Sequence, residues 1–479
     1  MTKDYAKLGL KSGLEIHQQL DTGKLFCACP GYLRTDEPDF SVSRRLHKVA
    51  GESGAVDEAV KHEAALNKEF VYQGYDDTTC LIEIDEEPPH QINENALNEA
   101  MKIALLLNCE IYPVIQIMRK TVIDGSNTSG FQRTLLLAHD GYIETSYGKV
   151  GIESVALEED AARIVEKGEK KTIYRLDRLG IPLVEIGTFP DMANPEQIKE
   201  AALKIGEILR ACKVKRGIGT IRQDINVSIK GHNRVEIKGF QEPSMMVKTV
   251  DLEIERQEKE IAEGKETGEV RNAKEDGTTE FLRPMPGSAR MYPETDLPLL
   301  KIGRDKINEL KKNLPKLKTE IRDELRKKGL TEEFLNLMLD NLDEFEVLMQ
   351  VYDKDANLIA KMIALWPSEF ATKSSRSIED VKKVLNEVVL ERVLEEIAEG
   401  QVNAGDVKGI LAKIVAGEDV ESAVKVERVD DNVLEQEIAK IVAEKPGLRA
   451  GGYMGLVIAK LGTSVDKKKA MEILNRIVK

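Results

Sequence analysis

The sequence predicts an α+β fold in which an antiparallel-sheet domain precedes an all-α domain and a helical C-terminal tail. Residues 8 to about 300 contain many short runs of alternating apolar and polar residues between glycines and turn signals, a pattern typical of antiparallel sheet. From Lys306 onward, apolar residues recur with the 3.6-residue period of helices, and strand signals almost disappear. This change of period places the predicted domains at residues 1–302, 303–400 and 401–479.

Individual elements follow the same signals. Two helices are predicted inside the sheet domain, at residues 93–107 and 195–209, because apolar residues recur there at helical spacing. Residues 255–280 are highly charged and have almost no large apolar side chains after Ile261, which predicts an exposed arm or connection. In the all-α region, Ser377 precedes an apolar stripe at helical spacing and is therefore predicted to be a helix N-cap.

Length and composition limit the class of protein. With 479 residues, the chain is too long for a single ordinary core. Its longest apolar runs, such as residues 103–107, are far shorter than the roughly 20 residues of a membrane-spanning helix, so no membrane association is predicted. The first residues are polar and lack the apolar segment of a secretory signal, and an odd number of cysteines, 5, fits a reducing compartment. We therefore expect a cytoplasmic protein.

The net charge of −14 argues against a chain that wraps nucleic acid, because phosphate binding requires clustered lysine and arginine. The distribution of charge matters more than the total. Residues 445–479 contain eight basic and two acidic residues, which makes the C-terminal end a candidate nucleic-acid surface. The residues predicted to contact nucleic acid there are Lys460, Lys467, Lys468, Lys469 and Arg476. The alternative is a solvated charge run that closes an ordinary helical domain.

Polar residues in several predicted strands point to one face of the sheet. In residues 13–17, Glu15 and His17 alternate with apolar residues, so the acid and the imidazole share a face. The same alternation recurs at Glu185, at Arg222, Asp224 and Asn226, and at Glu236 and Lys238. Any one of these could be an ordinary half-buried strand with a solvent-facing side, but the repetition of isolated carboxylates weakens that interpretation.

Several carboxylates and one imidazole on one face form a reasonable site for a hard divalent cation, Mg²⁺ in particular. Arg222 and Lys238 are available for phosphate oxygens, so the predicted chemistry is metal-assisted phosphoryl transfer. Glu158, Glu159 and Asp160 add three consecutive acids after another strand-like run. The chain contains neither G-x-x-x-x-G-K-[ST] nor G-x-G-x-x-G, so ATP would bind on the sheet. It contains no G-x-S-x-G, so we do not expect this chain to release ammonia from an amide itself.

Three of the five cysteines form a candidate structural zinc site, namely Cys27, Cys29 and Cys80. The fourth ligand would be Asp77 or a histidine such as His47, since the second C-x-x-C of a four-cysteine site is missing. Free buried or surface thiols are the alternative. The other two cysteines, Cys109 and Cys212, lie in helical patterns and are predicted core residues.

Six segments of the chain, taken in order, resemble the signature of the B/E subunit family of tRNA-dependent amidotransferases. They are GLKSGLEIHQQLDTGKLFC (9–27), ALEEDAAR (156–163), RLDRLGIPLVEI (175–186), GTIRQDINVSI (219–229), VEIKGF (235–240) and ARMYPETDLP (289–298). The similarity extends to residues 451–461 and so covers nearly the whole chain. Within the family, the start of the first segment and residues 120–134 resemble the archaeal E-type subunit.

The resemblance implies an enzyme that converts Glu-tRNA(Gln) to Gln-tRNA(Gln), with ATP and Mg²⁺ as cofactors and ammonia supplied by an asparaginase-like D-type subunit. It also implies a cradle domain that holds the active site, followed by a helical domain and a tail that contacts tRNA. One departure is present. The archaeal E-type subunit carries an insertion related to bacterial aspartyl-tRNA synthetase, and near residues 264–268, where we expect it, this chain has none.

The resemblance, carried over motif by motif, assigns the metal-binding positions to Glu15, His17, Glu159, Glu185 and Glu236. The residues with predicted catalytic roles are Glu15, His17, Lys120, Glu159, Arg222, Asp224 and Lys238. Two alternatives stay open. One is a B-type enzyme that acts on Glu-tRNA(Gln) or Asp-tRNA(Asn) with an amidase partner. The other is a non-catalytic scaffold that binds tRNA.

Overall fold

The computed structural model describes residues 3–45, 68–122, 124–240, 242–285, 291–425, 431–461, 465 and 467–478. The chain divides into two compact units, Met1–Leu317 and Lys318–Lys479. The first is built mainly on antiparallel sheet and the described part of the second is helical, which confirms the predicted α+β class. Among the described residues, no helix combines the length and the apolar character needed to cross a membrane.

The strands of the first unit fall into three sheets. In chain order they are β1 Lys11–Gln19, β2 Phe40–Arg44, β3 Glu69–Gly74, β4 Glu110–Ile111, β5 Val114–Ile115, β6 Met118–Thr121, β7 Phe131–Thr145, β8 Gly148–Glu159, β9 Arg163–Lys167, β10 Lys171–Arg175, β11 Pro182–Thr188, β12 Ile221–Ser228, β13 Val235–Phe240, β14 Glu269–Ala273, β15 Thr279–Pro284, β16 Met291–Pro293 and β17 Leu300–Lys301. The main sheet has the order β15-β14-β13-β12-β1-β11-β8-β7-β6-β16, with β4 paired to β7. A second sheet has the order β2-β3-β10-β9, and β5 pairs with β17.

Five helices lie in the described part of the first unit. They are α1 Tyr5–Leu8, α2 Glu94–Leu106, α3 Pro195–Ala211, α4 Pro243–Ala262 and α5 Arg304–Lys312. The side chains of Asn93 and Asn194 cap α2 and α3 by accepting hydrogen bonds from N–H groups of the first turn. Both helices predicted inside the sheet domain are thereby confirmed.

The core of the first unit lies between the main sheet and the apolar faces of α2, α3 and α4. Leu14 and Ile16 of β1 are almost completely buried in it, whereas Glu15 and His17 are partly exposed. Full burial of one such aliphatic side chain contributes about 1.5–3 kcal/mol. The core therefore determines which face of β1 carries the acid and the imidazole.

The prediction of an exposed arm at residues 255–280 is wrong. The segment forms the end of α4 and the hairpin of β14 and β15, and Val270 is completely buried. Some charges on α4 are paired, since Arg256 lies 2.8 Å from Glu253 and 2.6 Å from Glu260. Paired charges can be packed against other elements, and composition alone does not reveal the pairing.

The second unit contains two separate apolar clusters. Its helices are α6 Lys318–Lys327, α7 Glu332–Leu339, α8 Leu342–Val351, α9 Ala356–Ala360, α10 Trp366–Ser374, α11 Ile378–Val384, α12 Glu387–Ala398, α13 Val407–Val415, α14 Val420–Ala423, α15 Asp431–Glu444, α16 Ala450–Leu461 and α17 Lys467–Ile477. A π-helical turn, Lys361–Leu365, joins α9 to α10. One cluster is formed by residues between Leu325 and Val424, the other by residues between Leu434 and Leu474. Ser377 caps α11, as predicted, by accepting a hydrogen bond from the Asp380 amide.

The apolar packing does not stop at the predicted boundaries. Ile307 and Leu310 of α5 pack against the core of the sheet unit, beyond residue 302. Val402 and Val407 belong to the same cluster as the helices before residue 400. The division into three domains stays a prediction.

Candidate active site

The registers of three neighbouring strands bring polar side chains together on one face of the main sheet. His17 of β1 lies opposite Glu185 of β11 on one side and opposite Arg222 of β12 on the other. In the same pairing, Glu15 lies opposite Asp224. Side chains that oppose each other on antiparallel strands project to the same face, so these residues form one group, as the alternation in the sequence predicts.

His17 lies between two carboxylates. Its Nε2 is 3.2 Å from Glu185 Oε2 and 3.6 Å from Glu15 Oε1. Burial disfavours the charged imidazolium, but the hydrogen bond to Glu185 and the nearby negative charges outweigh it and raise the pKa of His17 above its usual value. The carboxylates therefore favour the protonated form of the imidazole, and a bound cation would take the place of that proton.

Lys120 of β6 joins the same group. Its Nζ lies 3.2 Å from Glu158 Oε1 and 3.4 Å from Glu185 Oε2. Burial would raise the pKa of Glu185, but the hydrogen bond with His17 and the charge of Lys120 lower it to about 2. Burial and the neighbouring charge of Glu185 instead raise the pKa of Glu158. The two carboxylates thus have pKa values shifted in opposite directions across one lysine.

Glu158 has further partners on β7 that the sequence reasoning did not assign. Gln132 Nε2 donates to Glu158 Oε2 at 2.9 Å, and Thr134 Oγ1 donates to Glu158 Oε1 at 2.9 Å. Gln132 also donates to the backbone oxygen of Glu159 at 2.7 Å. These bonds fix the position of the Glu158 carboxylate.

Lys238 of β13 lies at the other end of the polar face. Its Nζ donates to Asp224 Oδ2 at 2.6 Å and also contacts Glu236. Burial opposes protonation of Lys238, but Asp224 and Glu236 together raise its pKa. Burial and the charge of Glu185 raise the pKa of Glu15, which lies next to this group.

The structure places Glu159 away from this group, against its predicted role as a metal ligand there. Its carboxylate accepts a hydrogen bond from the Arg133 amide at 3.2 Å and lies 3.4 Å from the Arg133 guanidinium. Successive strand residues point to opposite faces, so the acid that joins His17 is Glu158. A signal for this choice was present in the sequence, because Glu159 is two residues from the apolar Leu157 and shares its face.

Two sets of side chains on the polar face could hold a divalent cation. In each, every pair of ligand atoms lies within 4.8 Å. One consists of His17, Glu158 and Glu185, and the other of Glu15, His17 and Asp224. Carboxylate oxygens with one imidazole fit Mg²⁺ or a similar hard cation. Glu236, a predicted metal ligand, is in neither set and lies against Lys238 instead.

The three cysteines of the candidate zinc site are brought together by the fold. Cys27, Cys29 and Cys80 form a group with Glu83 in which all ligand atoms lie within 4.8 Å of one another. The fourth member is thus Glu83 rather than Asp77, which accepts hydrogen bonds from Tyr32 and Arg34. His47, the other predicted fourth ligand, lies outside the described residues. Cys109 and Cys212 are buried core residues, as predicted.

The chemistry of the cysteine group fits a zinc ion. Hydrogen bonds from the thiols of Cys27 and Cys80 lower the pKa of Cys29 to about 4, so one thiolate is already favoured. The Glu83 carboxylate accepts from Cys27 Sγ at 2.8 Å and from the Cys80 amide at 2.7 Å. Lys24, which is completely buried, lies 3.2 Å from Glu83 and offsets part of the negative charge.

The basic residues of the tail are only partly available for a partner. Lys460 lies 3.0 Å from Glu437, and Arg476 contacts Glu435, so two of the five predicted tRNA contacts are ion-paired with α15. Lys467, Lys468 and Lys469 form the first turn of α17. The side chains of Lys467 and Lys468 lie outside the described part of the chain, and Lys469 is exposed.

Comparison with known proteins gives one family. The family model of the GatB/GatE catalytic domain matches residues 10–308, which include every strand described above. The E subunit of glutamyl-tRNA(Gln) amidotransferase from Methanocaldococcus jannaschii is 36% identical, over 100% of both chains. The proteins of the same name from Methanococcus vannielii and Methanococcus maripaludis strain C7 are 34% and 32% identical, over 98% and 100% of this chain and 97% and 99% of their own lengths.

The alignment with the Methanocaldococcus jannaschii protein is 636 positions long, more than the 479 residues of this chain. That relative therefore contains residues with no counterpart here, in agreement with the missing insertion. The matched catalytic domain contains the His17 and Lys238 groups together with the cysteine group. This chain belongs to the family of amidotransferase subunits that share the GatB/GatE catalytic domain.

Proposed function

We propose that this chain phosphorylates and then amidates glutamate attached to tRNA, converting Glu-tRNA(Gln) to Gln-tRNA(Gln). The observation that carries the proposal is the polar face of the main sheet, where His17, Glu158 and Glu185 form a cation site beside three basic side chains. The substrate is taken from the printed names of the archaeal relatives. A sheet face with both cation ligands and phosphate-binding cations is what an ATP-dependent kinase step requires.

The residues of the site have separate tasks. His17, Glu158 and Glu185 would hold Mg²⁺, which when bound neutralises charge on phosphate oxygens. Lys120, whose pKa is raised, stays protonated beside two of these ligands. Arg222 lies on β12 with its side chain 46% exposed, and Lys238 lies on β13. Both would donate hydrogen bonds to phosphate oxygens. Preorganised donors of this kind stabilise the charge of a transferring phosphoryl group.

Two bond exchanges complete the reaction. A γ-carboxylate oxygen of the tRNA-bound glutamate attacks the γ-phosphorus of ATP, and ADP leaves. Ammonia then attacks the acyl carbon, phosphate leaves, and the nitrogen loses one proton to give the amide. Because an acyl phosphate hydrolyses readily, water has to be kept from it between the two steps.

Ammonia is proposed to come from an asparaginase-like partner subunit. Support for an external source comes from the sequence, which has no nucleophile motif of an amide hydrolase. The subunit designation of the relatives also indicates an enzyme of more than one chain.

We further propose that Cys27, Cys29, Cys80 and Glu83 hold a structural Zn²⁺. Three thiol groups and one carboxylate match the number and type of ligands in closed zinc sites. The ion would tie the segment around Cys27 to the loop around Cys80, two segments separated by more than 50 residues in the chain. Stability, rather than catalysis, is the property that it would supply.

The tail is proposed to contact tRNA through Lys460, the three lysines at the start of α17 and Arg476. The ion pairs that Lys460 and Arg476 make are exposed, and solvent screens such pairs so that they contribute little to stability. Phosphates can therefore compete for both side chains at small cost.

The test is ATP hydrolysis by the chain with its partner subunit and Mg²⁺, in separate reactions without tRNA and with Glu-tRNA(Gln), Glu-tRNA(Glu) or Asp-tRNA(Asn). We expect stimulation by Glu-tRNA(Gln) alone. Stimulation by Asp-tRNA(Asn) would indicate the specificity of a B-type enzyme, and no stimulation by any aminoacyl-tRNA would overturn the kinase role.

A further inference from the structure

Asp160 follows β8 directly and carries one of the most buried carboxylates in the first unit. Its side chain is 2% exposed. Gln19 Nε2 donates to Asp160 Oδ2 at 2.6 Å, and the Ala161 amide donates to Oδ1 at 2.9 Å. A buried carboxylate is tolerated only where cations and hydrogen-bond donors compensate its charge. The burial of Asp160 therefore depends on a cationic partner.

The closest cationic partner of Asp160 is Arg222, while Arg178 Nε lies farther away, 3.8 Å from Asp160 Oδ2. One terminal nitrogen of the Arg222 guanidinium donates to both oxygens of Asp160, at 2.9 and 3.1 Å. The rest of the side chain is open, with 46% of its surface exposed, and Arg222 lies opposite His17 in the pairing of β1 and β12. One end of the guanidinium is therefore anchored in the protein while the other end lies on the polar face.

We propose that Asp160 is a positioning residue for phosphoryl transfer, which holds Arg222 where its remaining N–H groups meet the phosphate oxygens. This inference rests on the proposed function. A free arginine side chain loses rotamer entropy when it is ordered, and a buried anchor removes that loss before substrate binds. Misplacement of a catalytic group by about 1 Å can cost about 100-fold in rate.

A purely structural role for Asp160 is the competing explanation. The backbone of Asp160 is held independently of its side chain, since its amide donates to Ile181 O at 2.8 Å and its oxygen accepts from the Gly180 amide at 3.0 Å. An Asp160→Asn variant keeps these bonds and the side-chain volume, and loses the negative charge that orders the guanidinium. The chain also offers a matched control in Asp177, whose buried carboxylate lies 2.6 Å from Arg163 rather than against Arg222.

The experiment is a double-mutant cycle on the full chain with its partner subunit, measured as ATP hydrolysis that depends on Glu-tRNA(Gln). We expect Asp160→Asn to lower kcat about 10- to 100-fold, and the double variant Asp160→Asn/Arg222→Ala to be no slower than Arg222→Ala alone. The control Asp177→Asn should lower Tm and leave kcat within about twofold of wild type.

Should Asp160→Asn fold poorly, Gln19→Met provides a second variant, because it removes only the 2.6 Å bond that orients the carboxylate. It should give a smaller loss of kcat that also disappears in the Arg222→Ala background. Unchanged kinetics in both variants, or equal losses with and without Arg222, would overturn the positioning role while wild type remains active. A wild-type enzyme without Glu-tRNA(Gln)-dependent hydrolysis would overturn the proposed function itself, and this inference with it.

Discussion

Two adjacent acids, Glu158 and Glu159, have different environments although they are neighbours in the chain. Glu158 faces Lys120 and accepts hydrogen bonds from the side chains of Gln132 and Thr134. Glu159 faces Arg133 on the other side of the strand. Replacing each of these two glutamates by glutamine therefore tests the proposed metal site with the same chemical change at two neighbouring positions.

We expect Glu158→Gln to reduce Glu-tRNA(Gln)-dependent ATP hydrolysis by about 100-fold or more, because it removes a charged ligand from the cation site. Glu159→Gln should instead act on stability and lower it by about 1–3 kcal/mol, since Arg133 loses a charged partner. Steady-state kinetics and urea denaturation of both variants separate the two effects. A larger kinetic loss in Glu159→Gln would restore the assignment made from the sequence.

Cysteine reactivity provides a second prediction at this scale. Hydrogen bonds from Cys27 and Cys80 lower the pKa of Cys29 to about 4, whereas burial raises the pKa of Cys109 and of Cys212 to about 12. At pH 7 the first is therefore a thiolate and the other two are thiols. N-ethylmaleimide should label Cys29 well before Cys109 and Cys212, as measured by mass spectrometry of peptides.

Added Zn²⁺ is the control for that labelling experiment. If the group of three cysteines and Glu83 binds the ion, Zn²⁺ should slow labelling of Cys29 and leave Cys109 unaffected. Equal labelling of all cysteines in the native protein would contradict the pKa order.

At the scale of elements, the loop between β6 and β7 connects two strands that supply Lys120 and Gln132 to the site. The hydroxyl of Tyr72 donates to Gly125 O, and that of Tyr174 donates to Asp124 O, both at 2.7 Å. Gly125 has a φ of 81°, and a Cβ there would lie 2.4 Å from the Phe70 ring. The loop can pack in this way only with glycine at position 125.

Gly125→Ala should therefore be strongly destabilising. The left-handed backbone costs an L residue about 1–2 kcal/mol, and the clash with Phe70 adds to that cost. Gly130→Ala is the matched control, because Gly130 has a φ of 75° and a Cβ added there would meet nothing within 4 Å. Denaturant unfolding should show a larger loss for Gly125→Ala, and equal losses would mean that the loop moves away without cost.

Much of the polar face was predictable from the strands, and the reason is physical. In β1 the apolar Leu14 and Ile16 specify the buried face, so Glu15 and His17 had to lie on the other one. Leu157 gives the same kind of signal on β8, since Glu159 shares its face, but the sequence reasoning did not use it. The arm predicted at residues 255–280 failed because charge pairing in three dimensions has no signature in composition.

Other parts of the site depend on contacts that are distant in the chain. Glu83 was not predicted as the fourth member of the cysteine group, since Asp77 occupies the position expected from C-x-x-C spacing. Asp160 was visible as one acid in a run of three, but its bond to Arg222 links residues 62 positions apart. The pairing registers of several strands determine such contacts, and these registers cannot be derived from a single sequence.

For the whole molecule, the apolar cluster between Leu434 and Leu474 is separate from the cluster that ends at Val424. Replacements at the start of α17 therefore test the part of the chain that contains the Leu434–Leu474 cluster. We expect replacement of Lys467, Lys468 and Lys469 by alanine to raise the KM for Glu-tRNA(Gln) and leave the KM for ATP unchanged.

Salt dependence gives the sharper measurement for that variant. The slope of log KM against log salt concentration should fall by about one for each phosphate contact that is lost. Lys382→Ala/Lys383→Ala, in α11 of the other cluster, is the control for a simple change of net charge. An unchanged slope in the α17 variant would leave these lysines a solvated part of the helical tail.

The order of the main sheet has a mechanical consequence. Its path from β15 to β16 has nine strand-to-strand steps, which in a flat sheet would separate the two edges by about 43 Å. However, Pro284 ends the edge strand β15 and Met291 begins the edge strand β16. The seven peptide units between these two residues reach at most about 25 Å. The sheet is therefore bent by its own covalent tether, and the two edges cannot be spread apart without breaking strand pairs.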